Sequence, residues 1–186
     1  MQPDVQLFSV YHQPFIIPAA HYVQPIHAGK AISKIDLGLQ GDDTGSHISG
    51  KNGSYSELTV LYWIWKNWDR SKFPYWGLVH YRRYFCKDVF PGGLTNKRIY
   101  HYAATQTEVD KVINDSLHQK LFNSLQQNDV VLPKLMYSYR KKGVIKSIEE
   151  HYKATHIAAH WDVMITVLKE LYPQYTESLP FFSKVK

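Results

Sequence analysis

A chain of 186 residues, 44% apolar and with a single cysteine, suits one domain with a sizeable core. Those figures exclude a disordered segment, a disulfide framework and a cysteine-built zinc site. Its formal charge of +6 comes from basic residues largely interleaved with acids, Arg140-Lys141-Lys142 being the basic cluster, which argues against a stripe that tracks nucleic-acid phosphates.

Met1-Gln2-Pro3-Asp4 carries no basic or apolar region of a secretory leader. No apolar run approaches the roughly 20 residues that span a bilayer. A reducing, cytoplasmic location is the expectation. Residues 5–11, VQLFSVY, then predict a buried first strand that ends at His12 and Pro14. Residues 15–50 hold no sustained period, although partial alternation predicts a short strand around Tyr22 to Ile26. A connection of that length is commonly functional.

Ser54-Tyr55-Ser56-Glu57 fits a capping box, with Ser54 as N-cap and Glu57 reaching back to it. It predicts a helix over 54–68. Leu58, Leu61, Tyr62 and Trp65 take the i, i+3, i+4, i+7 spacing of a core face, and Thr59, Trp63, Lys66 and Asn67 lie opposite. After Pro74, residues 75–81 read as a buried strand in which Gly77 marks close packing. Residues 86–106 read as irregular, with a turn at Pro91-Gly92-Gly93. A helix over 107–127 follows, N-capped by Thr107 and apolar at Val109, Val112, Ile113, Leu117, Leu121 and Leu125. Asp129 to Leu132 predict a strand ended by Pro133. Ile157, Trp161, Met164, Ile165, Leu168 and Leu171 predict an amphipathic helix that stops before Pro173. Glu150, His151, His156 and His160 lie at helical spacing and read as a solvated helix face rather than as metal ligands.

Strands alternating with helices predict an α/β fold, with a parallel or mixed sheet covered on both faces. Ligands in such folds sit beyond the C-terminal strand ends. That rule selects His12 to Pro14 and His80 to Phe85. Adjacent Arg82 and Arg83 offer guanidinium forks to phosphate oxygens, with a salt-bridged surface corner as the alternative. Asp42-Asp43-Thr44-Gly45, running into Ser49-Gly50-Lys51-Asn52, offers a second set, for a base, ribose, phosphate or metal, or else an ordinary turn-rich loop. No Asp-x-Asp occurs to hold a divalent cation on a diphosphate. No Gly-x-Ser-x-Gly elbow occurs, and Cys86 has no nucleophile context.

The order of motifs resembles a known family. Its parts are His12; Asp43-Thr44-Gly45 with Ile48-Ser49; Lys51-Asn52 through Lys66-Asn67; and Gly77-Leu78-Val79-His80-Tyr81-Arg82-Arg83-Tyr84-Phe85. Together they resemble the domain of unknown function 4422 of bacterial capsular-polysaccharide, exopolysaccharide and lipopolysaccharide glycosyltransferases. The resemblance implies a glycosyltransferase-A-like domain over 1–186, the donor-binding portion of an enzyme whose pattern continues beyond residue 186. It implies transfer of a hexose from a nucleotide sugar, a UDP-sugar foremost, to a glycan or lipid-linked acceptor, with peripheral contact at the inner membrane. The alternative is a non-catalytic domain that binds a nucleotide or glycan. Donor binding is expected at His12, Asp42, Asp43, Ser49, Lys51, Asn52, Trp63, Lys66, His80, Arg82 and Arg83. Arginines would stand where a metal sits in metal-dependent relatives, with Mg or Mn on Asp42 and Asp43 as the competing account. A carboxylate base is expected in the part of the pattern beyond this chain.

Overall fold

The computed structural model describes residues 5–85, 105–132 and 147–180. The expected turn at Pro91-Gly92-Gly93, most of the irregular stretch around it and the basic cluster Arg140-Lys141-Lys142 lie outside those residues. The chain divides into two compact units, residues 1–132 and 133–186.

The first unit is organised by β1, Val5–Tyr11, every residue of which is buried. It pairs in parallel on both sides, with β2 (Val23–His27) and, across it, with β4 (Tyr75–His80). A two-residue strand, β3 (Gln40–Gly41), pairs with β2, so the order is β3-β2-β1-β4. All four strands are parallel, the narrower of the two expected arrangements. The chain steps outward through β2 and β3, then crosses back to place β4 on the far side of β1. That reversal makes β1/β4 the topological switch point. Gly77 lies opposite Leu7 in the register, and a Cβ on it would stand 3.3 Å from the Leu7 side chain, so the expected close packing is real.

Alternate residues of β1 feed two cores. Phe8 and Val10 pack with Ile26 under Val60, Trp63 and Ile64, whereas Val5 and Leu7 pack with Val23 and Val79 under Ile113, Leu117 and Leu121. The first of these layers belongs to a helical pair that differs from the expectation for 54–68. A short α1 (Asn52–Tyr55) is followed by α2 (Leu58–Asn67), with Ser56 between them at φ 47°, ψ −128°. No capping box forms: Glu57 precedes α2 and its carboxylate makes no cap hydrogen bond. The asparagine amide of Asn52 takes up the Ser56 carbonyl instead, at 2.8 Å, and interrupts the helix that Ser54 would have started.

The buried face of α2 is also the opposite of the expected one. Thr59, Val60, Trp63 and Ile64 are buried, while Leu58, Leu61 and Trp65 are exposed. Apolar residues surround this helix, so spacing alone offers two stripes. The indole N–H of Trp63 and the amide of Asn67 decide between them by bonding to Thr44 and Ser46 of the preceding loop.

The other layer is also two helices, α3 (Gln106–Val112) and α4 (Asp115–Leu125), where one was expected. Thr105, not Thr107, caps α3, in a capping box with Glu108. Asn114 caps α4 by accepting from the Leu117 N–H at 3.1 Å, a local bond that restarts the helix. Leu117 and Leu121 meet β1, as their spacing predicts. Residues 129–132 form no strand, and Val130 and Leu132 are 62% and 74% exposed. Three apolar residues carry too little pattern to specify a non-local sheet partner.

The second unit has its own capping box, Ser147 with Glu150, opening α5 (Ile148–Thr155), then α6 (Ala158–Leu171) and a 3-10 turn over Pro173–Ser178. Trp161 is the buried residue of α6, with Tyr152 of α5 at 5.7 Å between ring centroids. Ile157, Met164 and Leu171, expected on the packed face, are exposed. No described helix is long and apolar enough to cross a membrane.

The face of α2 is open to direct test. Ile64→Ala, at a fully buried position, should lower stability by about 2–5 kcal/mol. Leu58→Ala should change it by about 0.5 kcal/mol or less. Urea denaturation of the two variants reads the difference.

Candidate functional site

Because the strands are parallel, their C-terminal ends share one edge. There β1 delivers His12, β2 His27, β3 the pair Asp42-Asp43, and β4 His80, Tyr81, Arg82 and Arg83. The residues after β1 and β4 meet. The rings of His12 and His80 are 6.0 Å apart, and that of Tyr81 lies 5.1 Å from His12 and 5.2 Å from Phe15. A tight turn closes β4, with the Arg83 N–H donating to the His80 carbonyl at 2.8 Å. The Arg82 guanidinium lies over the Tyr81 ring at 4.9 Å. Arg83 is exposed at the same turn.

The floor of this crevice is aromatic and hydrogen-bonded. Tyr84 returns beneath β1, its hydroxyl 2.9 Å from Ser9 Oγ and 3.1 Å from the Tyr11 hydroxyl. Tyr11 donates onward to the Ile16 carbonyl, tying the loop after β1 to the sheet. Burial pushes both phenols above their ordinary range, so both remain neutral donors.

His80 is hydrogen-bonded at Nδ1 and has a carboxylate near Nε2. Its Nδ1 accepts the Arg82 backbone N–H at 3.3 Å, so the proton of the neutral ring sits on Nε2, which faces Glu57 Oε1 at 3.6 Å. Burial is the main reason its pKa is pushed down to about 4. Arg82, Arg83 and His12 add to the fall, and Glu57 opposes it. The contact is therefore that of a neutral imidazole N–H with a carboxylate rather than a salt bridge. Glu57 had a complete local explanation in the sequence as a capping partner, which hid this placement. Its signal would have been the strand end that α2 starts beside.

The acidic loop does a different job. Asp42 is fully buried, and its carboxylate accepts from the Gly29 N–H (2.9 Å), the Lys30 N–H (3.2 Å) and the Ser49 hydroxyl (2.5 Å). Ser49, also fully buried, accepts in turn from the Ala31 N–H at 3.1 Å. Asn52 bonds Ser56 and, at 3.0 Å, the Thr59 hydroxyl, and it fills the space where a side chain on Gly29 would stand. Gly29 itself has φ 65°, a conformation that suits glycine. These residues build the wall of the edge.

Asp43 is half-buried and packs at Gly41, two strands away from β1, or roughly 10 Å along the sheet. Lys51 is exposed at the end of the same loop. Trp63 is committed to the core. Lys66 is carried to the far end of α2, roughly 12 Å from its start, where its ammonium lies 3.6 Å over the Trp65 ring. Thus His12, His80, Arg82 and Arg83 come together, Asp43 shares their edge, and Trp63 and Lys66 lie elsewhere. His27, which was not singled out in the sequence, ends β2 fully buried with neither ring nitrogen hydrogen-bonded.

A divalent cation on Asp42 and Asp43 does not fit these residues. The Asp42 oxygens already serve three donors, and no group of three His, Cys, Asp or Glu among the described residues is arranged to hold a metal. Arg82 and Arg83 bring positive charge to this edge beside the end of β1.

Comparison with known proteins gives two findings. The family described as domain of unknown function (DUF4422) matches residues 6–185. The apo structure of the bifunctional glycosyltransferase WbbM superposes with a TM-score of 0.75 at 28% identity, over 98% of this chain and 32% of that one. This chain thus spans about a third of the length of that protein. The shared architecture is a glycosyltransferase-A-like α/β fold. No curated protein matches.

The depressed pKa of His80 predicts a pH dependence. The unfolded chain takes a proton on this residue near pH 6.5 and the folded chain only near 4, so the stability is fully present above 6.5 and is lost as pH falls toward 4. His80→Gln should remove up to about 3 kcal/mol of that loss, at about 1.4 kcal/mol per pKa unit. Denaturation midpoints measured across this range check it.

Proposed function

The chain belongs to the DUF4422 family, and from that premise we propose that it binds a nucleoside-diphosphate sugar at the β1/β4 switch point and serves its transfer to a glycan or lipid-linked acceptor. One observation carries the reading. Arg82 and Arg83 follow the end of β4, beside the end of β1, on an edge where Asp42 is already engaged by backbone and hydroxyl donors. The developing charge of a departing diphosphate requires fixed donors, and guanidinium forks supply them without a metal. The likeness to a bifunctional glycosyltransferase supports the reaction class. In this reading residues 1–186 form the donor-binding portion, and His12, exposed at the end of β1, lies against the sugar-phosphate.

Titration calorimetry with uridine diphosphate, on the wild type and its arginine variants, tests the proposal. A charge-assisted contact contributes on the order of 1.5–3 kcal/mol, so Arg82→Ala or Arg83→Ala should weaken binding roughly ten- to hundredfold. Arg82→Lys should recover little of it, because a point charge does not reproduce a bidentate fork. Binding should persist in chelator. Binding that vanishes in chelator yet survives both alanine variants overturns the reading.

A further inference from the structure

Glu57 stands in an unusual position for a residue that begins a helix. A carboxylate there ordinarily turns back onto the first N–H groups. This one makes no such bond; it is 47% exposed, with the His80 Nε2 at 3.6 Å as its described partner. The backbone before it is strained to hold that placement. Ser56, at φ 47°, is the described non-glycine residue with positive φ. Its carbonyl is clamped by the Asn52 amide (2.8 Å), the Thr59 hydroxyl (3.1 Å) and the Thr59 N–H (3.2 Å). Strain of this kind, about 1–3 kcal/mol, persists where surrounding bonds over-determine it, and it clusters at functional sites.

We infer that Glu57 is the general base of the transfer, with His80 as its positioning residue. The inference rests on the proposed donor site and places a proton acceptor and the phosphate-binding cations on one strand end. The acceptor hydroxyl gives its proton to a Glu57 oxygen as its own oxygen bonds to the anomeric carbon. The bond from that carbon to the diphosphate oxygen breaks, and its electron pair leaves on the nucleoside diphosphate beside Arg82 and Arg83. Glu57 then returns the proton to solvent. His80 suits its part because it stays neutral. A cationic imidazole at the carboxylate would hold it as an ion pair, whereas a neutral N–H fixed by the Arg82 backbone orients it and leaves it able to accept a proton. The charged and titratable groups facing His80 are Glu57 from the start of α2, His12 from the end of β1, and Tyr81, Arg82 and Arg83 from its own turn. The expected site of the base beyond residue 186 is then unnecessary.

The test uses the whole chain, a panel of UDP-hexoses with water as acceptor, and uridine diphosphate binding in parallel. Water must lose a proton to the same base, so hydrolysis reads the step without knowledge of the natural acceptor. Glu57→Gln should lower turnover by about a hundredfold or more while uridine diphosphate binding stays within about twofold. Glu57→Ala should lose turnover equally and regain part of it with added formate, which supplies a carboxylate to the vacated space. A structural role would show no such rescue. Turnover of Glu57→Gln within about threefold of wild type overturns the inference, as does a loss that formate does not reverse. So does a wild type that binds uridine diphosphate and hydrolyses none of the panel, an outcome that leaves the donor-binding reading standing. Absence of uridine diphosphate binding removes that reading first and the inference with it.

Discussion

The structure depends on the parallel pairing of β1 with a neighbour on each side. Parallel strands require crossovers, and crossovers return the chain to the same end each time, so every strand delivers its following residues to one edge. Because β2 and β4 leave β1 in opposite directions, their connections diverge above it and open a crevice there. Burial of all seven residues of β1 is what makes this arrangement obligatory. Its alternate side chains serve separate cores beneath α2 and α4, and neither layer packs without the strand between them.

Around that crevice the polar groups divide by whether they are satisfied. Asp42 is a structural hub: it replaces the backbone partners that Gly29 and Lys30 lack after β2, and it fastens the loop carrying Ser49 to them. A fully buried carboxylate without such donors would cost several kcal/mol. The same bonds withdraw it from ligand chemistry. The opposite side of the crevice carries a neutral histidine and two guanidinium groups from the end of β4, and a half-exposed glutamate from the start of α2. One wall is fixed by an acid whose bonds are complete, and the other carries the neutral His80 beside a half-exposed Glu57.

The loop from Asp42 to Asn52 also sets the orientation of α2. Thr44 and Ser46 receive the Trp63 indole and the Asn67 amide, which roll the helix so that Val60 and Ile64 face the sheet. This roll leaves Leu58, Leu61 and Trp65 in solvent and sends Lys66 outward over Trp65. It also places the start of α2, and with it Glu57, beside the end of β4. The strained Ser56 is the joint at which this geometry is reconciled with α1.

The sequence by itself determined the elements whose pattern is local and strong: the strands at 5–11 and 75–80, the close packing at Gly77, the α4 face of Leu117 and Leu121, and the pair Arg82-Arg83 at a strand end. It also carried the family resemblance, because Lys51 to Asn67 and Gly77 to Phe85 are long motifs. Tertiary structure alone decided the rest, for identifiable reasons. A helix apolar on two sides has no preferred face until a partner outside it bonds one, as Thr44 does for Trp63. A Ser-x-x-Glu pattern reads as a cap until Asn52, through a bond to Ser56, breaks the helix in front of it. Residues 129–132 hold too few apolar positions to choose an edge of a sheet. Whether an aspartate is a ligand or a brace depends on which N–H groups reach it, and those reaching Asp42 come from residues 12 to 13 positions earlier in the chain. Periodicity records what each segment prefers, whereas the site is made of bonds between segments, which only the folded chain brings within reach.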